Sequence, residues 1–265
     1  MSQGTIVTIV TEADSPTGLE AAIETARRLS LHLDVICLTP AIFQMPPITV
    51  ADAFVPPLVN EDAETDLQEI ERAVAARLSR EEIAWSVDGV ITSPAALAPQ
   101  LAPRLRLADL ALLPKTGGIG DQAARLFEVV LYNSRVPILL TDTGLRTLDR
   151  VTIAWDESDV ALAAVRGAMP VLQAAGAVEI VTVDMPDAGE DLAAMLSRKG
   201  VTPEILPLAR GEASVADRLM AHAMEARADA LVAGAYGHAR LREVLLGGVT
   251  RDLLRRADLP LILSR

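Results

Sequence analysis

The chain has 265 residues, of which 51% are apolar and 23% charged, so it can bury a large core and is not intrinsically disordered. Its 36 acidic side chains outnumber the 24 Lys and Arg, and the net charge of −12 argues against nonspecific nucleic-acid binding and against docking on anionic membranes. The single cysteine, Cys37, excludes an intrachain disulfide and a cysteine-rich zinc site, and we expect it to be a buried thiol. No basic leader and no apolar run of membrane-spanning length is seen, so a cytoplasmic protein is expected.

Short apolar runs alternate with helical patterns in the first half of the chain. This alternation predicts strands near 4–10, 33–38, 82–87, 108–113 and 136–141. The segment 40–60 interrupts the pattern, because its two Pro-Pro pairs exclude a regular helix. Its apolar content predicts an ordered loop or flap that packs on the other half or on a second subunit. A short connector, 142–149, then joins the two halves.

The second half repeats the alternation and predicts both types of element. Its strands are expected near 150–155, 178–183, 203–208, 229–234 and 260–264, and its helices near 158–173, 188–199, 212–227 and 240–256. Continuous apolar strands that alternate with helices are typical of a parallel sheet with helices on both faces.

Two pairs of segments indicate that the halves are an internal repeat. Residues 108–117 and 228–237 both read Ala-Asp, a short apolar run and a loop that ends in Gly. Residues 135–140 and 258–263 both read a charged residue, an apolar residue, Pro and three more apolar residues. We therefore expect two tandem domains of one α/β fold, each with a five-stranded, doubly wound parallel sheet: residues 1–145 and 149–265.

A glycine-rich loop after the fourth predicted strand of the second half is the strongest local signal. Two residues separate Gly234 from Gly237, and nine separate Gly237 from Gly247, which is followed by Gly248 and, two residues later, Thr250. Glycine lets the main chain approach a phosphate closely, and successive N–H groups at the start of a helix form an anion-binding concavity. The loop therefore predicts a site for a phosphate-bearing ligand.

With this residue order the chain resembles a tandem universal stress protein, in which two such domains lie in one polypeptide. The nucleotide signature of that family is Gly-x2-Gly-x9-Gly-(Ser/Thr), and Gly248 is a departure because it stands at the Ser/Thr position. The resemblance implies a Rossmann-like, adenine nucleotide alpha hydrolase-like fold with a pseudo-two-fold pair of domains. It also implies a site for ATP or AMP and leaves open whether Mg²⁺ accompanies the nucleotide.

The resemblance assigns ten residues to this site, each at a position that matches the family pattern. Those beside the adenine and ribose are Ala154, Asp156, Val183, Ala233 and Gly234. Those around the phosphates are Gly237, Gly247, Gly248, Val249 and Thr250. Asp156 has a second interpretation, because either Ser158 or Asp156 could be the N-cap of the following helix; capping and ligand binding are compatible.

The first half departs from the pattern at the equivalent places. Pro114 stands where Gly234 stands, Ala124 and Arg125 replace the second glycine pair, and Thr11 or Glu12 replaces the strand-end Asp. A prolyl ring removes an N–H donor and adds bulk. We therefore expect a degenerate nucleotide site in the first half.

The leading hypothesis is a cytoplasmic universal stress protein that regulates or senses stress through an adenine nucleotide. The alternative is a stress-related interaction module that binds no nucleotide and acts through its dimer surfaces. No catalytic set and no metal site emerges, and at most a weak ATPase is expected. The partners expected are the nucleotide, an unidentified protein, and a second copy of the chain unless the two halves already form a self-contained pseudo-dimer. The resemblance further implies that the fifth strands, 137–141 and 260–264, pair antiparallel.

Overall fold

The computed structural model describes residues 4–12, 16–40, 61–115, 121–235, 249, 252–254 and 257–265. In the first half the elements are β1 (Thr5–Val10), α1 (Pro16–Leu29), β2 (His32–Pro40), α2 (Glu61–Leu78), β3 (Trp85–Thr92), α3 (Leu97–Leu105), β4 (Leu110–Leu113), α4 (Asp121–Glu128) with a π-helical segment (Val129–Ser134), and β5 (Ile138–Leu140). In the second half they are β6 (Arg150–Ala154), α5 (Asp159–Gly167), α6 (Met169–Ala174), β7 (Ala177–Val183), α7 (Glu190–Ser197), β8 (Pro203–Leu208), α8 (Val215–Glu225), β9 (Ala230–Gly234) and β10 (Leu261–Ser264).

The ten strands form one sheet in the order β3-β2-β1-β4-β5-β10-β9-β6-β7-β8. Each half contributes five neighbouring strands, and every pairing inside a half is parallel. The halves meet at β5 and β10, which pair antiparallel with Leu139 opposite Ile262. The expected tandem α/β architecture and the pairing of the fifth strands are therefore confirmed. Neither fifth strand is left as a free edge, which would favour aggregation.

Helices cover both faces of the sheet, as continuous apolar strands require. One buried cluster joins the sheet to α1, α2, α5, α6 and α7, and includes Leu139 and Ile262 from the central strand pair. A second cluster joins the opposite face to α3, α4, the π-helical segment and α8. Within the described ranges, no helix is both long enough and apolar enough to cross a bilayer.

The connector 142–149 is anchored in the core of the first half. Gly144 has a φ of +72°, and an added Cβ would meet the carbonyl oxygen of Ala21 in α1. The next amide, on Leu145, donates to Thr25 Oγ1 at 3.1 Å, and the Leu145 side chain is buried. The connector is thus short and also packed, which holds the two halves close together.

Two predicted elements differ from those observed. Strand 82–87 is in fact β3, shifted toward the C-terminus, because its partner β2 extends the pairing to Thr92. Gly89 inside β3 lets α2 approach, since an added Cβ would collide with the Glu71 carboxylate. Helix 158–173 is broken at Ala168 into α5 and α6, because Pro170 has no N–H for the helical hydrogen-bond pattern.

The other predicted strands and helices lie within a few residues of the observed ones. The flap predicted for 40–60 lies outside the described residues beyond its first residue. Of the helix predicted for 240–256, residue 249 and residues 252–254 are helical.

Candidate functional site

The carboxyl ends of β6 and β9 lie side by side in the second half. The two strands pair in parallel from Val151 and Ala230 onward. Beyond them the sheet continues in opposite directions, through β7 on one side and β10 on the other. Crossovers from such a pair leave toward opposite faces and open a crevice at the carboxyl edge, which is where doubly wound folds bind ligands. Five of the predicted site residues stand at this edge: Ala154, Asp156, Val183, Ala233 and Gly234.

Asp156 follows β6 and is exposed. Its Oδ1 accepts from the Ser158 amide at 3.1 Å and from the Ser158 hydroxyl at 2.6 Å. Ser158 is the N-cap of α5, because its Oγ accepts from the Ala161 amide at 3.2 Å. The cap predicted for this region is thus Ser158, and Asp156 orients it. In the described structure Asp156 Oδ2 has no hydrogen-bond donor, so it remains available to a ligand hydroxyl.

Gly234 ends β9 directly against the first turn of α5. A Cβ at this position would lie 2.7 Å from the amide nitrogen of Ala161 and 2.9 Å from the carbonyl carbon of Val160. Backbone atoms on a capped helix cannot move aside, so only glycine fits. This close approach brings the end of β9 and the start of α5 into direct contact at the carboxyl edge.

The other members of the predicted set differ in exposure. Ala233 is buried, whereas Ala154 and Val183 are half-buried and present part of their surface. Val249 is helical and 39% exposed. The remaining four predicted residues lie outside the described residues: Gly237, Gly247, Gly248 and Thr250. Their role stays a prediction.

The carboxyl edge of the first half has different chemistry at the equivalent positions. Strand pairing aligns Ile6 with Leu110 and Val151 with Ala230, so Thr11 occupies the place of Asp156. Pro114 occupies the place of Gly234, and its ring is 3.5 Å from a Cβ built on Gly18 in α1. The first half therefore lacks both the free carboxylate and the glycine.

Lys115, which follows Pro114, is directed at the other half of the chain. Its Nζ donates to the carbonyl oxygen of Ala257 at 2.6 Å and to that of Leu259. Burial lowers the pKa of Lys115 to about 8, against the opposing effect of Asp142 and Asp258. The residues that follow β4 thus hold the two halves together.

The described residues at this edge offer magnesium no acidic cluster. Asp184, after β7, accepts from the Arg210 amide at 3.0 Å and lies 3.5 Å from the Arg210 guanidinium. Among the residues that the structure describes, no group of three metal-binding side chains comes together.

A Ser, His and Asp do meet on the surface of the first half, a juxtaposition that the sequence analysis missed. Ser86 Oγ donates to Asp34 Oδ1, and His32 Nε2 lies 3.0 Å from that same oxygen. A nucleophilic triad needs the imidazole between Ser and Asp, with one ring nitrogen for each. Here one carboxylate oxygen serves both partners, so the cluster is a polar surface contact. Only the β2–β3 register, which places Asp34 beside Ser86, could have revealed it.

The equivalent carboxylate of the second half is buried. Glu179 stands opposite Thr152 in the sheet, as Asp34 stands opposite Val7. Its carboxylate pairs with Arg150 and lies 3.0 Å from His222 Nε2. Two partners compensate the cost of burying this charge. The cluster lies at the amino-terminal side of β6, away from the carboxyl edge.

Cys37 is buried in β2, as expected. Burial, together with the nearby carboxylates of Glu71 and Asp88, raises the pKa of its thiol to about 12. The thiol therefore stays protonated and unreactive at neutral pH.

Comparison with known proteins assigns the second half to a family. Residues 147–265 match the model described as Usp, universal stress protein family. No curated protein matches the chain.

Solved structures resemble the whole chain in fold. A universal stress protein from Archaeoglobus fulgidus DSM 4304 is 16% identical, with a TM-score of 0.70 and 98% of each chain covered. A structure named as a universal stress protein from Pseudomonas aeruginosa UCBPP-PA14 is 15% identical, with a TM-score of 0.59, 98% of this chain and 92% of that one. The cytoplasmic domain of a prokaryotic cation chloride cotransporter is 14% identical, with a TM-score of 0.51, 98% of this chain and 95% of that one. At these identities the likeness concerns the fold alone.

Proposed function

Because residues 147–265 belong to the universal stress protein family, we propose that this half of the chain binds an adenine nucleotide, ATP or AMP, and so regulates or senses a stress response. The nucleotide would bind at the carboxyl ends of β6 and β9. The observation that carries the proposal is the free oxygen of Asp156 beside the close approach of Gly234 to α5. A carboxylate oxygen is a suitable acceptor for ribose hydroxyls.

We assign the remaining contacts by the family pattern. Ala154 and Val183 would contact the base, and the buried Ala233 would pack beneath the carboxyl edge of the sheet. The phosphates would bind the main chain of the glycine-rich loop, at Gly237, Gly247, Gly248, Val249 and Thr250. Mg²⁺, if it enters, would come with the triphosphate, since the described residues offer no cluster of their own for it.

One nucleotide per chain is the expected stoichiometry, because the first half has Thr11 and Pro114 in place of Asp156 and Gly234. Equilibrium dialysis of the whole chain against ATP and AMP measures both affinity and stoichiometry. Mass spectrometry of small molecules released by denaturation identifies any nucleotide that copurifies.

The variant that tests the site is Asp156→Asn. It preserves the acceptor that orients Ser158 but places an amide donor where the free oxygen stood. We expect the affinity to fall at least about tenfold, the effect of losing one good hydrogen bond to a ligand. The matched control is Thr11→Ala at the equivalent position of the first half, which should leave the affinity unchanged. No uptake of ATP or AMP at millimolar concentration would refute nucleotide binding.

The alternative, an interaction module without a nucleotide, is favoured by two large side chains on the surface. Leu107, after α3, is 82% exposed, and Met224, in α8, is 70% exposed. Exposed apolar side chains mark a contact surface where they join into a contiguous patch. The replacements Leu107→Ser and Met224→Ser would then weaken self-association or partner binding without changing ATP uptake. Analytical ultracentrifugation of the chain measures whether it forms a homodimer.

A further inference from the structure

A groove of about 700 Å³ lies where the two halves of the chain meet. One wall is α5, with Asp159 and Arg166, and the other is the start of β4 and β5, with Asp109 and Arg135. Arg265, after β10, completes the lining. We call this the junction groove. Its volume is in the range of sites for small molecules.

The two halves make a tight contact within the lining of the junction groove. Gly167, at the end of α5, packs on the ring of Pro137, and an added Cβ there would collide with that ring. Glycine at this position therefore allows α5 and the segment before β5 to lie close together.

Three arginines, Arg135, Arg166 and Arg265, line the junction groove in a chain whose net charge is −12. Arg135 and Arg166 form no ion pair with any residue that the structure describes. The Arg265 guanidinium lies 4.6 Å from the centre of the Tyr132 ring, a contact that leaves its hydrogen-bond donors open. Unpaired guanidinium groups that share a groove are suited to carboxylate or phosphate.

The two carboxylates of the junction groove have other stabilising partners. Asp109 Oδ2 accepts from the Thr5 amide at 2.8 Å, which ties β4 to β1. Asp159 stands in the first turn of α5, where the helix dipole favours a negative charge. The carboxylate side chains of the junction groove therefore have stabilising interactions of their own, apart from the three arginines.

At the opposite end of the central strand pair, the equivalent positions carry aspartates instead of arginines. Because Leu139 faces Ile262, the two-fold relation of β5 and β10 makes Arg135 equivalent to Asp258 and Arg265 equivalent to Asp142. At that end the chain supplies the counter-charge itself, since Asp142 and Asp258 act on the ammonium of Lys115.

At the junction groove no described residue takes the place of Lys115 with a group of opposite charge. The residue equivalent to Lys115 is Ala235, whose methyl group is buried. We propose that the junction groove is a binding site for a small oxyanion, a carboxylate or a phosphate, held by Arg135 and Arg265 with Arg166 as a third donor. None of the residues that line the junction groove belongs to the predicted nucleotide site, so the proposal does not depend on nucleotide binding.

Titration of the whole chain with inorganic phosphate and, separately, with succinate tests the proposal and distinguishes the two kinds of oxyanion. Amide chemical shifts in NMR spectra report where binding occurs, with chloride at matched ionic strength as the reference. We expect saturable shifts near Arg135 and Arg166 at about millimolar concentration for at least one of the two probes.

The variants are Arg135→Asn, Arg166→Gln and Arg265→Gln. Asparagine is chosen because Arg135 has a φ of +60°, which Asn tolerates well. Each variant should bind the anion at least about tenfold more weakly, since a guanidinium–oxyanion pair is lost. The control Arg198→Gln removes an exposed arginine at the end of α7 and should bind as the wild type does. Arg166→Gln carries the test if either of the other variants fails to fold.

Equal shifts with chloride would overturn the proposal, as would unchanged binding in folded Arg166→Gln and Arg135→Asn. Inorganic phosphate can also bind the glycine-rich loop of the proposed nucleotide site. The proposal is therefore judged on the shifts near Arg135 and Arg166 and on the arginine variants, which leave Asp156 and that loop unchanged.

Discussion

The two halves of this chain share one fold but differ at equivalent positions of the carboxyl edge. The second half has Gly234 and Asp156, where the first half has Pro114 and Thr11. The packing has changed in step with the residues. Gly234 makes room for the backbone of Ala161, whereas Pro114 fills space beside Gly18. Strand and helix are therefore in contact in both halves. The glycine at the contact lies on the strand in the second half and on the helix in the first.

The first half has lost the ligand-site pattern, and the same segment has a structural role there instead. Pro114 packs on α1, and Lys115 bonds to main-chain carbonyls near the start of β10. These contacts help to hold the two halves of the chain together. The second half retains the free carboxylate and the glycine, and so is the half suited to a ligand.

The largest effect on stability is expected at the central strand pair, β5 and β10, where the two halves should behave alike. Leu139 and Ile262 face each other across the two-fold relation and are fully buried. Leu139→Ala and Ile262→Ala should each lower the free energy of unfolding by about 3 to 4 kcal/mol, because each leaves a cavity in the same core. Urea denaturation measures both. A cost for one that is less than half the cost for the other would contradict an equivalent role in the two halves.

A large difference is expected between the two equivalent carboxylates, Glu179 and Asp34. Glu179→Gln should cost about 3 kcal/mol, because it breaks a buried charge cluster with Arg150 and His222. Asp34→Asn should cost less than about 1 kcal/mol, because Asp34 and its partner His32 are partly exposed. Thermal and urea unfolding of the two variants give the comparison. Similar costs would show that burial does not distinguish the two sites.

Glycine-to-alanine substitutions test whether the strand–helix contact requires glycine on the strand in the second half but not on the helix in the first. Gly234→Ala should cost about 2 kcal/mol, because its Cβ would lie 2.7 Å from the Ala161 amide nitrogen. Gly18→Ala should cost nothing or stabilise slightly, since its Cβ would make an ordinary contact with Pro114 and alanine favours a helix. The free energies of unfolding from urea titrations decide the point. A tolerated Gly234→Ala would remove the steric explanation for this glycine.

The smallest effect is expected from Lys115 and depends on pH. Burial lowers its pKa in the folded chain to about 8 from the usual 10.5. Between these values the unfolded chain binds more protons, so stability should rise with pH; below pH 8 the residue is protonated in both states. Between pH 7 and pH 10 the free energy of unfolding of the wild type should rise by about 1 to 2 kcal/mol relative to that of Lys115→Met. Parallel stability profiles of the two proteins would show that the ammonium is not desolvated.

Much of the fold follows from local pattern in the sequence. The repeated Ala-Asp and Pro-centred segments predict two equivalent units, and apolar runs predict buried strands on both sides of the repeat. One element was predicted wrongly because of a tertiary contact and another because of a local one. Pairing with β2 extends β3 to Thr92, whereas Pro170 divides a helix that apolar spacing alone predicted as continuous.

The sequence by itself determined the alternation of strands and helices, the relation of the two halves and the residue types at each strand end, because these depend on neighbours along the chain. Only the tertiary structure decided which remote side chains meet. Lys115 reaches Ala257, Arg135 and Arg265 share a groove, and Ser86 joins Asp34 because strand register and the two-fold relation bring distant segments together. Periodicity specifies which face of an element is apolar, whereas register specifies which polar groups lie side by side.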